Sequence, residues 1–334
     1  MWFELIVLYV LSTIFIWSLR YIAPKIGFYD IPNERSEHTI IVPRGAGMGF
    51  SIAVFVVLAC FNGSLLLEYS WTAMAIGMVF IVGVLDDHHD TSPYTKFLVI
   101  IIATILLYFD GIVIDRLGTF FGMELSLGWL ALPFTVFAVS GFTNALNLID
   151  GLDGLSATIS IVILGVFMFV GIEHHDLFIT TLSSLFIVAL AAFLIFNWYP
   201  ASIFMGDSGS LTLGFVISVI AIKALDYIPT VSILFIAAIP ILDTLIVMIR
   251  RKRNGRSAFS ADRCHMHHIL KQFFADNTPR TVVALGIMQM VYSLTGLQLD
   301  KSSDEGVLLI LFLLNVVLFY LFLGIMIKRQ NRPC

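Results

Sequence analysis

Apolar residues run along this chain in long blocks, and the polar residues collect in the gaps between them. A helix that crosses a hydrocarbon core roughly 30 Å thick needs about 20 mainly apolar residues. Eleven stretches meet that demand, at about 2–22, 46–67, 69–85, 96–111, 127–146, 154–172, 177–197, 210–225, 229–249, 281–297 and 306–327. The first lacks a basic leading region and a small-residue cleavage site, so it reads as a span rather than a signal peptide. The pattern predicts an all-α, polytopic membrane protein with one integral membrane domain over 1–334.

Composition removes the soluble alternative. Hydrophobic residues make up 59% of the 334, charged residues 13%, and 29 Phe outnumber the 19 Lys and Arg together. Mean hydropathy is +0.95. The net charge of −4 carries no message about nucleic acid, because in a membrane protein the position of each charge along the chain matters more than the sum. Cys60, Cys264 and Cys334 are far apart and odd in number, which leaves neither a disulfide framework nor a paired-cysteine metal site. Lys and Arg fix an expected orientation: all 19 except Arg116, Lys223 and Lys301 fall on one set of alternate connections and the C-terminal tail. Basic loops stay on the cytoplasmic side, so the N-terminus is expected outside and the C-terminus inside.

The chemistry sits in four polar gaps. Asp86 to Asp90 (DDHHD) follows the third stretch, Asn147 to Gly154 (NLIDGLDG) the fifth, Phe204 to Ser210 (FMGDSGS) the seventh, and a basic segment closing on Asp262 to His268 (DRCHMHH) the ninth. Alternate crossing puts all four on the cytoplasmic face, in loops expected at about 86–95, 147–153, 198–210 and 250–280. Any one of Asp86, Asp87, Asp90, Asp150, Asp153 and Asp207 could merely cap a helix. Gathered at one membrane edge, where carboxylates lose hydration, they call for a cation. Mg²⁺ suits them, since it takes oxygen ligands and often only one or two carboxylates, with water and substrate phosphate completing its shell.

Asn147, Asp150 and Asp153 would share one side of a continued helix, whereas Gly151 and Gly154 favour a partly broken turn. Glycines flank Asp207 just before the eighth stretch, so the bare N–H groups of a helix start would lie beside it, an anion-binding geometry. Phe204 could stack on a base or cap the apolar span. Cys264 beside His265, His267 and His268 invites zinc, but a second Cys is lacking and the carboxylates suit a harder ion. Arg250 to Arg253 can anchor to anionic lipid, while His and Arg near a carboxylate-bound metal would grip a diphosphate. The set points to phosphoryl transfer, in which positioning and charge neutralisation do most of the catalysis, between a membrane lipid and a substrate from the cytosol.

With these residues in view, the chain resembles the polyprenyl-phosphate N-acetylhexosamine-1-phosphate transferases, the glycosyltransferase family 4 group that includes WecA-type enzymes. The likeness is carried by PRGAGMG (Pro43 to Gly49), LDDHHD, TNALNLIDGLDGLSA, FMGDSGSLTLGF, DTLIVMIRR and SAFSADRCHMHH, in family order. It implies transfer of HexNAc-1-phosphate, most readily GlcNAc-1-phosphate, from UDP-HexNAc to undecaprenyl phosphate, releasing UMP. Mg²⁺ or Mn²⁺ is the implied cofactor, and the bacterial inner membrane the implied location, with a cytoplasmic active site. The product would start a cell-envelope glycan of O-antigen, enterobacterial common antigen or teichoic-acid type, and a homodimer is compatible.

By motif position the likeness makes Asp86 and Asp87 the catalytic carboxylates. Lys96, Arg263, His265, His267 and His268 become the phosphate-handling residues. Asn147, Asp150, Asp153, Phe204 and Arg44 become the nucleotide-binding set, and Asp207 with Asn147 the metal ligands. The His-x-His-His loop argues against a MurNAc-pentapeptide substrate, and His88 stands where many relatives carry Arg. DIPNERSEHT (Asp30 to Thr39) resembles members that transfer FucNAc or QuiNAc, whereas SAFSADRCHMHH resembles the GlcNAc enzymes. Two rivals fit less well. A prenyltransferase would use Asp86-Asp87-x-x-Asp90 but has no use for the histidine loop. A transporter would show internal repeats and midplane charges.

Overall fold

The computed structural model describes residues 2–32, 41–257 and 265–329. Its helices, in chain order, are α1 (Trp2–Ile22), α2 (Ala46–Phe61), α3 (Gly63–Glu68), α4 (Ser70–His89), α5 (Pro93–Leu107), α6 (Ala131–Ile149) and α7 (Leu155–Glu173), followed by α8 (Leu177–Asn197), α9 (Asp207–Ala224), α10 (Ser232–Ile236), α11 (Ala238–Arg253), α12 (Met266–Phe273), α13 (Thr278–Leu297) and α14 (Glu305–Arg329). Two small antiparallel pairs accompany them: β1 (Tyr29–Asp30) with β2 (Val42–Pro43), and β3 (Arg116–Phe120) with β4 (Met123–Ser126). Among the described residues, 9 helices are long and apolar enough to cross a membrane, and the protein is a multi-pass membrane protein. The other two apolar stretches are interrupted. α2 is a shorter apolar helix that stops before Asn62, and the stretch 229–249 is divided at Ala237.

Local chemistry sets several helix starts. Ser92 caps α5 through Thr95 N–H with Pro93 next to it, Asp176 caps α8 through Ile179 N–H, and Asn277 caps α13 through Arg280 N–H. Such side chains satisfy donors that the first turn leaves unpaired. The Ser92-Pro93 start places Lys96 in the first turn of α5, at the end of the helix where α4 delivers Asp86 and Asp87.

α9 is the axis of the molecule, packed by α2, α4, α6, α7 and α8. Its apolar window is 89% buried, against 22% for that of α14. Lipid is as apolar as leucine, so such packing rests on close approach of backbones. Gly47 of α2 lies against the backbone of Gly209, and Gly83 of α4 against Asp207 and Ser208; a Cβ at either would collide with main chain. The start of α9 is thereby pressed between α2 and α4.

Element boundaries differ from the loops expected at 86–95, 147–153, 198–210 and 250–280. α4 continues through His89 and α5 begins at Pro93, so both catalytic-pair candidates are helical. α6 stops at Ile149, so Asn147, Asp150 and Asp153 do not lie along one helix face. Asp150 leaves helical geometry at ψ 46°, and Gly154, at φ 78°, turns the chain into α7. The last of the expected loops contains α12.

Candidate active site

Lys96 sits between two carboxylates contributed by different helices. Its Nζ is 2.8 Å from Asp86 Oδ2 and 2.6 Å from Asp207 Oδ2. Asp86 also accepts from Thr91 Oγ1 at 2.8 Å. The second oxygen of Asp207 accepts from Asn147 Nδ2 at 3.1 Å, and the same amide donates to Ser210 Oγ at 2.8 Å. α4, α5, α6 and α9 thus each bring a polar side chain to one point, where Asp207 and Lys96, with side chains 23% and 22% exposed, are more open than Asp86 at 9%.

Asp87 has a different position from its neighbour. Its carboxylate is buried at 1% exposure and accepts from Asp207 N–H at 2.8 Å and Ser208 N–H at 3.0 Å. The N-terminus of α9, expected from sequence to offer bare N–H groups to a phosphate, is therefore occupied by the protein's own anion. The dipole and unpaired donors of a helix start favour any nearby negative charge, and the close packing at Gly83 leaves Asp87 as that charge. Gly206, at φ 74°, is required here, because a Cβ would meet the Asp87 carboxylate.

Arg44 belongs to the same neighbourhood. Its Nε donates to the Asp87 carbonyl at 2.8 Å and its Nη2 to Asp90 Oδ1 at 3.1 Å, so a cation covers the C-terminal carbonyls of α4. The strand-like contact between Arg44 and Phe204 is held by Phe204 N–H to Pro43 O at 2.8 Å and Ala46 N–H to Phe204 O at 3.0 Å. PRGAGMG and FMGDSGS are therefore one structural unit, although about 160 residues separate them.

The 147–154 turn closes the other side. Asp150 is half-buried; burial raises its carboxyl to about 7, and the nearby Asp207, Asp87 and Asp153 push in the same direction. Asp153 faces the segment before α9, accepting from Ala201 N–H at 2.9 Å. Asn197 ties the same parts together, accepting from Gly154 N–H at 2.9 Å and donating to Ile203 O at 3.0 Å. His267 rests on Gly151: a Cβ there would lie 2.7 Å from His267 Nε2. Its ring is 5.7 Å from His265 and 4.2 Å from His268, centroid to centroid. The histidine segment is thus joined to the carboxylate turn. Arg263 and Cys264 lie outside the described residues.

Asp243, in α11, is a site residue that the motif reading quoted without assigning. It is buried, accepts from Met266 N–H at 2.6 Å, and lies 2.7 Å from His265 Nδ1. A lone carboxylate in an apolar stretch is the signal that could have found it. His265 is consequently turned toward α11.

Among the described residues no group of three or more His, Cys, Asp and Glu side chains could by itself hold a metal. Among the described residues, the site therefore offers no all-protein cage. Asp207 supplies hard carboxylate oxygens on a partly open edge, and the Asn147 amide, whose nitrogen faces Asp207 here, would add an oxygen on turning over; that partial set fits an ion that keeps water and phosphate in its shell.

The fold and the site define a multi-pass helical membrane protein with carboxylates, a lysine and histidines converging at one end of its helices. The chain is a member of glycosyl transferase family 4, whose model matches residues 69–225. It is 33% identical over 305 residues, 89% of this chain and 84% of the relative, to the probable undecaprenyl-phosphate N-acetylglucosaminyl 1-phosphate transferase of Bacillus subtilis. Over 342 residues, 98% of this chain and 92% of the relative, it is 30% identical to the undecaprenyl-phosphate alpha-N-acetylglucosaminyl 1-phosphate transferase of Yersinia pestis. The enzyme of that name from Escherichia coli K12 is 29% identical over 341 residues.

Proposed function

We propose that this protein transfers N-acetylglucosamine 1-phosphate from UDP-GlcNAc to undecaprenyl phosphate, at the cytoplasmic face of a bacterial inner membrane. A phosphate oxygen of the lipid forms a bond to the sugar-linked phosphorus of the donor. The bond from that phosphorus to the bridging oxygen breaks, and UMP leaves with the electron pair. The observation that carries this reading is Lys96 held between Asp86 and Asp207 with Asn147 on the far oxygen, in a chain whose relatives bear the names given above. Lys96 brings one positive charge to a transferring phosphoryl group there, and the carboxylates beside it would hold the cation that brings the rest.

Asp207 and Asn147 would hold Mg²⁺ or Mn²⁺, which when bound supplies positive charge to the diphosphate. The chain's own groups do the rest. Lys96 is a cation within reach of phosphate oxygens. Asp86 orients the lipid phosphate or takes its proton, and Asp87 fixes the backbone from which Asp207 projects. Phe204 and the 147–154 turn lie on the nucleotide side, and the histidine segment, steadied by Asp243, handles the diphosphate. The basic residues on the connections at the site's end support a cytoplasmic location.

Purified protein given labelled UDP-GlcNAc, undecaprenyl phosphate and Mg²⁺ should release UMP in equal amount to the undecaprenyl-diphospho-GlcNAc formed. UDP-FucNAc and UDP-QuiNAc, run in parallel, test the sugar. Turnover with one of these and none with UDP-GlcNAc would overturn the donor assignment, and no UMP from any donor would overturn the reaction.

A further inference from the structure

α10 and α11 are two pieces of one apolar stretch, and the reason they separate lies in the chain itself. Pro240 has no N–H, and in a continuous helix its ring would press on the carbonyl four residues back, that of Ile236. Ala237 leaves helical geometry at φ −114° and ψ 34°. Two buried main-chain groups lose their helical partners as a result: the Ile236 carbonyl, which Pro240 cannot serve, and the Ile239 N–H, which would otherwise reach Phe235. Buried main-chain groups of this kind must be paired elsewhere.

Both are paired by one side chain from α13. Gln289 Nε2 donates to Ile236 O at 2.7 Å, and Gln289 Oε1 accepts from Ile239 N–H at 3.0 Å. Ser293, one turn further on, donates to Ile236 O at 2.8 Å and accepts from Gln289 Nε2 at 2.7 Å. Gln289, Ser293, Ile236 and Ile239 are all fully enclosed, at 0% exposure. The primary amide has the donor and acceptor of a peptide group, and it stands in the helix break as one. Gly296 lets α13 come this close, because a Cβ there would lie 2.9 Å from Ser232 O.

We propose that Gln289 is a positioning residue for the transferase reaction: by bridging the Pro240 break it sets the direction of α11, and through Asp243, one turn beyond Ile239, it sets where His265 and the histidine segment stand. This rests on the function proposed above. Loss of the amide should weaken handling of the donor without touching any group in contact with it.

The test uses the full-length protein in detergent or nanodiscs, with Gln289→Leu and the double variant Gln289→Leu/Pro240→Ala. Alanine at 240 restores an N–H that can serve Ile236 from within the helix. Gln289→Leu should lower the melting temperature and raise KM for UDP-GlcNAc on the order of tenfold, with kcat changed less. The double variant should regain the melting temperature but keep the raised KM, since the helix then closes its own hydrogen bonds in a straighter direction. A double variant that recovers both would make Gln289 merely structural and overturn the proposal, as would an unchanged KM in Gln289→Leu. A readout independent of turnover keeps this separate from the proposed reaction. Spin labels at Tyr94 and Lys252, both exposed, should report a changed distance in the double variant, and an unchanged distance would overturn the proposal even if the wild type transfers no sugar.

Discussion

Two buried carboxylates in this protein do the same structural work at opposite ends of the helices, and only one of them leads to a site. Asp87 accepts from the N–H groups of Asp207 and Ser208 at the start of α9. Glu305 accepts from Thr230 N–H at 2.7 Å and Val231 N–H at 2.9 Å, just before α10. Each is an acid from a distant part of the chain that pairs donors a helix start leaves over. They differ in what comes next. Past Glu305 the polar groups close on one another: Asp176 caps α8 and accepts from Tyr227, and Asp304, held below the usual carboxylate range by the N–H groups of Phe121, Val307, Gly122 and Gly306, is satisfied by backbone. Past Asp87 the next side chain is Asp207, which shares one lysine with Asp86 and stays partly open. Buried acid alone therefore does not mark function. Two carboxylates from different helices sharing one lysine on a partly open edge are the distinguishing feature.

The sharpest way to break this contrast is at Asp207. Asp207→Ala should leave an inserted, folded protein whose UMP release falls at least about a hundredfold, equivalent to roughly 2.7 kcal/mol of transition-state stabilisation. Near-normal turnover at saturating Mg²⁺ would remove Asp207 from the reaction and make the two ends of the molecule equivalent.

The matched pair Asp87→Asn and Glu305→Gln gives a smaller, more diagnostic effect. Both replacements keep volume and remove charge, and each should cost about 1 to 3 kcal/mol of stability through weakened charged hydrogen bonds. Only Asp87→Asn should also lower kcat per folded molecule, with UDP-GlcNAc binding by calorimetry near normal. If Glu305→Gln lowered kcat as much, the distinction drawn between the ends would collapse.

The third test perturbs nothing in the site and asks only whether the two ends face different compartments. In a background without the native cysteines, single cysteines at the exposed Tyr94 and Ser257 should react with an impermeant reagent only from the cytoplasmic side, and one at the exposed Ser302 only from outside. Labelling of Tyr94 and Ser302 from the same side would contradict the orientation read from the basic residues.

Much of this was legible before the structure because it follows from local composition. Apolar blocks of spanning length can only be helices when no water is present to pair the backbone, so the helices long enough to span follow directly. The motifs announced the site for a related reason: carboxylates and histidines from four separate gaps fall at one membrane edge, where each loses hydration and calls for a compensating partner.

What lay beyond the sequence depended on partners distant in the chain. FMGDSGS read as an open phosphate site because nothing in those seven residues says that Asp87, 120 residues earlier, occupies their N–H groups. NLIDGLDG supported both a helix face and a broken turn, and the choice fell to Asn197 and Ala201 pulling Gly154 and Asp153 toward α8. Asp243 looked like one polar residue in an apolar stretch until His265 was found against it. The stretch 229–249 looked like one continuous span, and only the structure showed it divided at Ala237 beside Pro240, with Gln289 of α13 bridging the gap. Hydrophobic patterning and charge placement act through each residue's own transfer free energy, so the sequence alone determined the membrane class, the apolar helices other than those interrupted within 46–67 and 229–249, and the acidic and histidine motifs. Pairing of buried polar groups depends on which donors and acceptors the packed helices bring within about 3 Å of each other, and that was decided by the tertiary structure.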